Sequence, residues 1–153
     1  TSVLLSQFEY TSDGMYMATV PATVHERGEY LALQAYSGDL FQIGVDLIVD
    51  PSGNITVYQT DDAPISLSII GKTLHTTPYH NTYADSDWAV DGDSMYTLSI
   101  PASEHGKILP QVQVYAEDNH VVLSEVELDA DDNVVLKVVE PFGCTVVIVG
   151  YNA

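Results

Sequence analysis

Basic residues are nearly missing from this chain. Arg27, Lys72, Lys107 and Lys137 are the only ones in 153 residues, against 22 acidic side chains, and the formal charge is -18. Affinity for nucleic acid comes largely from Lys and Arg displacing condensed counterions, and anionic lipid headgroups select the same residues. The shortage argues against nucleic acid and membrane as direct partners. Cysteine is scarcer still: with Cys144 alone, neither an intramolecular disulfide nor a cysteine-based metal cluster can form within the chain. No run of 18 apolar residues occurs, and the opening TSVLLSQFEY has no basic region leading into a long apolar one, so neither a membrane-spanning helix nor a signal peptide is expected.

Sequence signatures of catalysis are missing as well. No GxSxG elbow, SxxK, HExxH, Walker loop or GxGxxG is present, and carboxylates are so numerous that no single pair stands out. The chain is expected not to be an enzyme. Nor does any segment hold a 3.6-residue apolar period over three turns. What is there instead is alternation: hydrophobic residues make up 46% of the chain and fall largely at every second position, the pattern of strands with one buried face.

The alternation is written twice. Residues 15–27, MYMATVPATVHER, match 95–107, MYTLSIPASEHGK, at an offset of 80, and after the loss of one residue 30–71 match 109–150 at an offset of 79. Identities include Pro21 with Pro101, His25 with His105, Gln34 with Gln113, Tyr36 with Tyr115, Asp50 with Asp129, Asn54 with Asn133 and Gly71 with Gly150. The apolar pattern agrees more widely: Leu33 and Ala35 match Val112 and Val114, Leu47 and Val49 match Val126 and Leu128, and Leu67 and Ile69 match Val146 and Ile148. The turn-forming stretches 50–54 and 129–133 fall at the same place in both halves, and so do Ser37-Gly38-Asp39 and Glu117-Asp118-Asn119. These features predict an all-β protein of two tandem, homologous, small antiparallel β-sandwich or barrel repeats, with about five strands in each. The first repeat is placed at 1–72 and the second at 73–153, with 73–87 as a candidate linker.

Several residue groups could carry chemistry. His25 and His105 follow a strand-ending Pro-Ala, and each is a lone histidine with no Cys or second His nearby, so they read as loop residues tying down backbone carbonyls. Asp129, Asp131 and Asp132 are the calcium candidates, and Asp85, Asp87, Asp91 and Asp93 form a second acidic cluster. Neither has the EF-hand order, and solvated turns with no cofactor are the expectation. His75 and His80 are separated by a proline and match no established zinc spacing. Tyr79, Tyr83 and Trp88, with Asn81 and Asp87 nearby, could build a sugar-binding face, or else a linker whose Trp88 enters the core. Cys144, alternating with Val146 and Ile148, reads as a small core residue.

One feature breaks the half-exposed pattern. Val135, Val139, Val147 and Val149 fall opposite the expected core residues of the second repeat, whereas Thr56, Ser66 and Ser68 occupy several matched positions of the first. Strands apolar on both faces are covered on both. The four valines are expected to form an interface, with a second copy of the chain or a less acidic protein preferred over the first repeat as cover.

The pattern Y-x-L-x-I-P-A-x-x-H-G at 96–106, P-x-V-Q-V-Y at 110–115, D-x-D-D-N at 129–133 and P-F-G-x-x-V-V-I-x-G at 141–150 resembles bacteriophage virion proteins: the β-sandwich modules of tail fibres, receptor-binding appendages and head-decoration proteins. The resemblance is fainter in the first repeat, where Leu31 replaces Pro110 and Asp62-Ala63 replace Pro141-Phe142. It implies a virion location and a structural role through assembly with itself or other virion proteins, and carries over no functional residues. The alternatives are a module binding carbohydrate, such as a host cell-surface glycan, and a calcium-stabilised adhesion domain.

Overall fold

The structure is a computed structural model that describes residues 1–38, 42–73 and 76–153. The first repeat runs β1 (Ser2–Leu5), β2 (Glu9–Tyr10), β3 (Tyr16–Val20), the single helical turn α1 (Ala22–His25), β4 (Ala32–Ser37), β5 (Gln42–Ile43), β6 (Asp46–Val49), β7 (Ile55–Gln59) and β8 (Ile65–Ile70). The second runs β9 (Tyr79–Tyr83), a 3-10 turn at Asp85–Asp87, β10 (Ala89–Val90), β11 (Tyr96–Ile100), α2 (Ala102–His105), β12 (Lys107–Ala116), β13 (Val121–Val122), β14 (Glu125–Leu128), β15 (Val134–Val138) and β16 (Cys144–Asn152). All pairings are antiparallel. Sheets β1-β8-β4-β5 and β2-β3-β7-β6 make the first sandwich, and β9-β16-β12-β13 and β10-β11-β15-β14 repeat the same order in the second. The register repeats too: Ala32 pairs with Ile70 as Gln111 pairs with Val149, and Ala35 with Ile43 as Val114 with Val122.

Each sandwich closes over the alternate residues of its strands. Leu33, Ala35, Leu67 and Ile69 from one sheet meet Val20, Leu47, Ile55 and Val57 from the other. In the second repeat Val114, Cys144, Val146 and Ile148 meet Leu98, Ile100, Val134 and Leu136. Each Val, Leu or Ile among them gains roughly 1.5 to 3 kcal/mol by leaving water, which fixes the register against a one-residue slip. Cys144 is buried among them, and burial pushes its thiol up to about 11.

Three expectations need correction. Among the described residues each repeat has eight strands, because two-residue edge strands are too short to leave a periodic signature. The candidate linker at 73–87 is largely structured: Tyr79–Tyr83 pairs with β16 as β1 pairs with β8, so backbone pairing rather than side-chain pattern makes it a strand. And Val126 and Leu128 are exposed on β14 where their counterparts Leu47 and Val49 are buried on β6. The turn residue Asp39 lies outside the described residues.

Gly71 follows β8 and Gly150 lies near the end of β16, where a neighbouring backbone presses close. A Cβ at Gly150 would stand 2.8 Å from the Ile108 carbonyl oxygen, and one at Gly71 would collide with that of Arg27. Gly150→Ala is therefore expected to lower stability by about 1 to 3 kcal/mol, measured as a reduced urea midpoint with unchanged β-sheet circular dichroism.

Candidate functional site

The repeated Pro-Ala-His phrase builds the same knot in each repeat. Pro21 and Pro101 close strands β3 and β11 and lead into a single turn that ends at Glu26 (φ 53°) and Gly106 (φ 62°). His25 Nδ1 accepts the Arg27 N–H at 3.0 Å, and His105 Nδ1 accepts that of Lys107 at 3.1 Å. A nitrogen that accepts carries no proton, so Nε2–H is the donor, to Gly53 O at 2.8 Å and to Asp132 O at 2.9 Å. Asn54 and Asn133 add a second tie, accepting the N–H of Ala22 at 3.0 Å and of Ala102 at 2.9 Å. At the centre of the knot Gly53 has φ 82°, and a Cβ there would lie 2.6 Å from Gly28 O; the matched Asp132 (φ 59°) has room. Both imidazoles are buried with both ring nitrogens engaged, which leaves them no free nitrogen for chemistry.

The acidic turns serve the same knot. Asp129 Oδ1 accepts the N–H groups of Asp131 (2.9 Å) and Asn133 (3.0 Å), and Oδ2 accepts Asn133 Nδ2 at 2.7 Å. Asp50 repeats the arrangement with Ser52 and Asn54. Hydrogen bonding, first from the asparagine side chain, holds both aspartates below the usual carboxylate range. Among the described residues no group of three or more His, Cys, Asp or Glu side chains is placed to hold a metal ion. Asp129, Asp131 and Asp132 therefore sit in an asparagine-locked turn rather than converging on one point.

Packing draws the three aromatics toward the second repeat's core. Trp88 is only 6% exposed, lies against Phe142 and donates its indole N–H to Phe142 O at 2.9 Å. Tyr79 and Tyr83 are half-buried on β9 and pack on the same core. Their hydroxyls meet at 2.9 Å, and Tyr79 also donates to Glu104. Burial first, and the Glu104 carboxylate second, raise the Tyr79 hydroxyl above its ordinary value. His80, on the other face of β9, stacks on Tyr30 of the first repeat with ring centroids 3.4 Å apart. His75 lies outside the described residues.

The four valines do not share a patch. Val135 and Val139 belong to β15 and the residue after it, Val147 and Val149 to β16, and these strands lie in opposite sheets of the sandwich. Val139 is 73% exposed, whereas Val147 and Val149 are 1% and 5% exposed and form part of the first repeat's core cluster. The first repeat is thus their cover, contrary to expectation. Its own outer sheet face is polar, but it presents an edge instead: the Leu31–Leu33 backbone lies over β12, and Val49 lines one pocket with Tyr115 and Val147.

The bonds that fasten this edge were not foreseen. Tyr115 donates its buried hydroxyl to Leu31 O at 2.7 Å, and Gln113 Oε1 accepts the Leu33 N–H at 2.9 Å. Val49 N–H bonds Asn119 O at 3.2 Å, and His120 Nε2 lies 3.3 Å from Asp46 Oδ2. Identity with Tyr36 and Gln34 was the available signal, but it pointed to the repeat and not to contact between repeats. Lys107 was also missed: its ammonium is buried and donates to Thr77 O at 2.7 Å and Asn152 Oδ1 at 2.6 Å.

Comparison with protein-family models, curated proteins and solved structures found no significant match.

Val147→Asp would place an unpaired charge between the repeats and is expected to cost about 3 to 5 kcal/mol, read as a large fall in urea midpoint. An unchanged midpoint would contradict burial of Val147 within the chain. The two turns give a pH dependence of definite sign. Because the folded-state values of Asp50 and Asp129 lie below the ordinary 3.8, their stabilisation is complete above that pH and disappears as pH falls through the lower folded values. Asp50→Asn/Asp129→Asn should be less stable than wild type at pH 7, and the difference in urea midpoint should close as pH falls below 3.8.

Proposed function

We propose that this chain is a non-enzymatic structural protein of a bacteriophage virion, working through protein–protein assembly as a capsid-decoration or tail component. The observation that carries the reading is where the polar side chains go. His25, His105, Asp50, Asp129, Asn54 and Asn133 are tied to backbone within their own repeats, so the repeated phrase serves architecture. The surface meanwhile displays large apolar side chains at Leu109, Leu123 and Val139. Exposed apolar groups on a rigid β framework favour a protein whose work is to be held by others. The acidic surface suits contact with a less acidic partner.

An antibody against the chain should label particles purified from lysates of its source, and mass spectrometry should find it there at a fixed ratio to the major coat protein. Its presence in the host cell together with its absence from washed particles would overturn the reading.

A further inference from the structure

The contact between the two repeats is a docking whose two halves both occur a second time, uncovered. In the internal contact the edge of the first repeat, carrying Leu33 and Val49, sits on the outer face of β12 and β16, where Gln113 and Tyr115 hold its backbone. The second repeat has the same edge. Val112 stands where Leu33 does, and Leu128 where Val49 does, yet Val112 is only half-buried and Leu128 is 46% exposed. The first repeat has the same face: Gln34 and Tyr36 match Gln113 and Tyr115 in residue type and register, and Ile70, matching Val149, is 40% exposed.

We infer that the second repeat's edge docks on the β4–β8 face of a second copy of this chain. This deepens the assembly reading by naming the partner. Tyr36 would donate to the Pro110 carbonyl and Gln34 would accept the Val112 N–H, as their counterparts do for Leu31 and Leu33. Both surfaces open on one cleft of about 480 Å3, which Gln34, Tyr36 and Ile70 line together with Val112 and Val126. Two copies can therefore dock reciprocally and close. Ser68 takes the place of Val147 on this face, so the contact is weaker than the internal one. With -18 on each chain it strengthens with salt, because the screening length contracts from about 10 Å at 0.1 M to about 3 Å at 1 M.

Sedimentation velocity of the whole chain tests this at low and high salt. Wild type is expected to form a reversible dimer of the 16.6 kDa chain, favoured by salt. Leu128→Asp on the edge and Ile70→Asp on the face should each sediment as monomer at wild-type urea midpoint. An equimolar mixture of the two should dimerise again, because one intact edge then meets one intact face, a rescue that an interface pairing each residue with its own copy cannot give. Wild type that stays monomeric at about 1 mM in high salt, variants that still dimerise, or a mixture that remains monomeric would each overturn the proposal. A monomer that nonetheless labels virions removes the second copy as partner and leaves the virion reading standing.

Discussion

A strand with apolar side chains on both sides cannot leave either side in water, and β16 is such a strand. Val146 and Ile148 point into the second sandwich while Val147 and Val149 point away from it. Covering the outer pair requires another body of the right shape, and the chain supplies it as the edge of its own first repeat. Much else follows from that requirement. The backbone at Leu33 and Val49 lies against the second repeat and both residues are buried, while Val112 and Leu128, with the same places in the second sandwich, remain partly in solvent. Two halves of the same topology thus differ in exposure only by position along the chain.

Hydrogen bonding decides how the contact is made. The edge of a sheet offers backbone groups that must find partners or stay wet. Among the described residues β5 pairs with β4 at Ala35 and Tyr36, and beyond that pairing Gln113 occupies the Leu33 amide. The knot of His, Asn and Asp acts within each repeat in the same way, tying the helical turn to the hairpin so that neither loop relies on solvent. These are short-range and long-range answers to one problem, which is the placement of backbone polar groups where strands end.

The fold was legible in the sequence because alternation, turn residues and the two-fold repetition are local signals. The pairs His25 with His105 and Asp50 with Asp129 could be matched by eye and occupy equivalent sites. The interface was legible only in part. Alternation tells which side of a strand is apolar but not which sheet the strand joins, so Val135 and Val147 looked like neighbours although β15 and β16 lie in opposite sheets. Tyr79–Tyr83 looked like a linker because an edge strand can be held by backbone bonds with no apolar rhythm. The aromatic cluster was open to two readings, of which the entry of Trp88 into the core is the one seen, because Trp88 and its neighbours combine apolar bulk with polar tips, a composition shared by sugar sites and by core margins.

The bond from Tyr115 to Leu31 spans 84 residues of chain. A ribosome adding about 5 to 20 residues per second needs roughly 4 to 17 seconds to cross that interval. Within it the first sandwich is completed at β8 and then keeps its edge open to solvent. The second sandwich is made beside a finished neighbour, so its dry face can be covered as soon as β16 emerges. Translation therefore delivers the support before the surface that depends on it, and the more apolar of the two outer faces is the one that never has to wait.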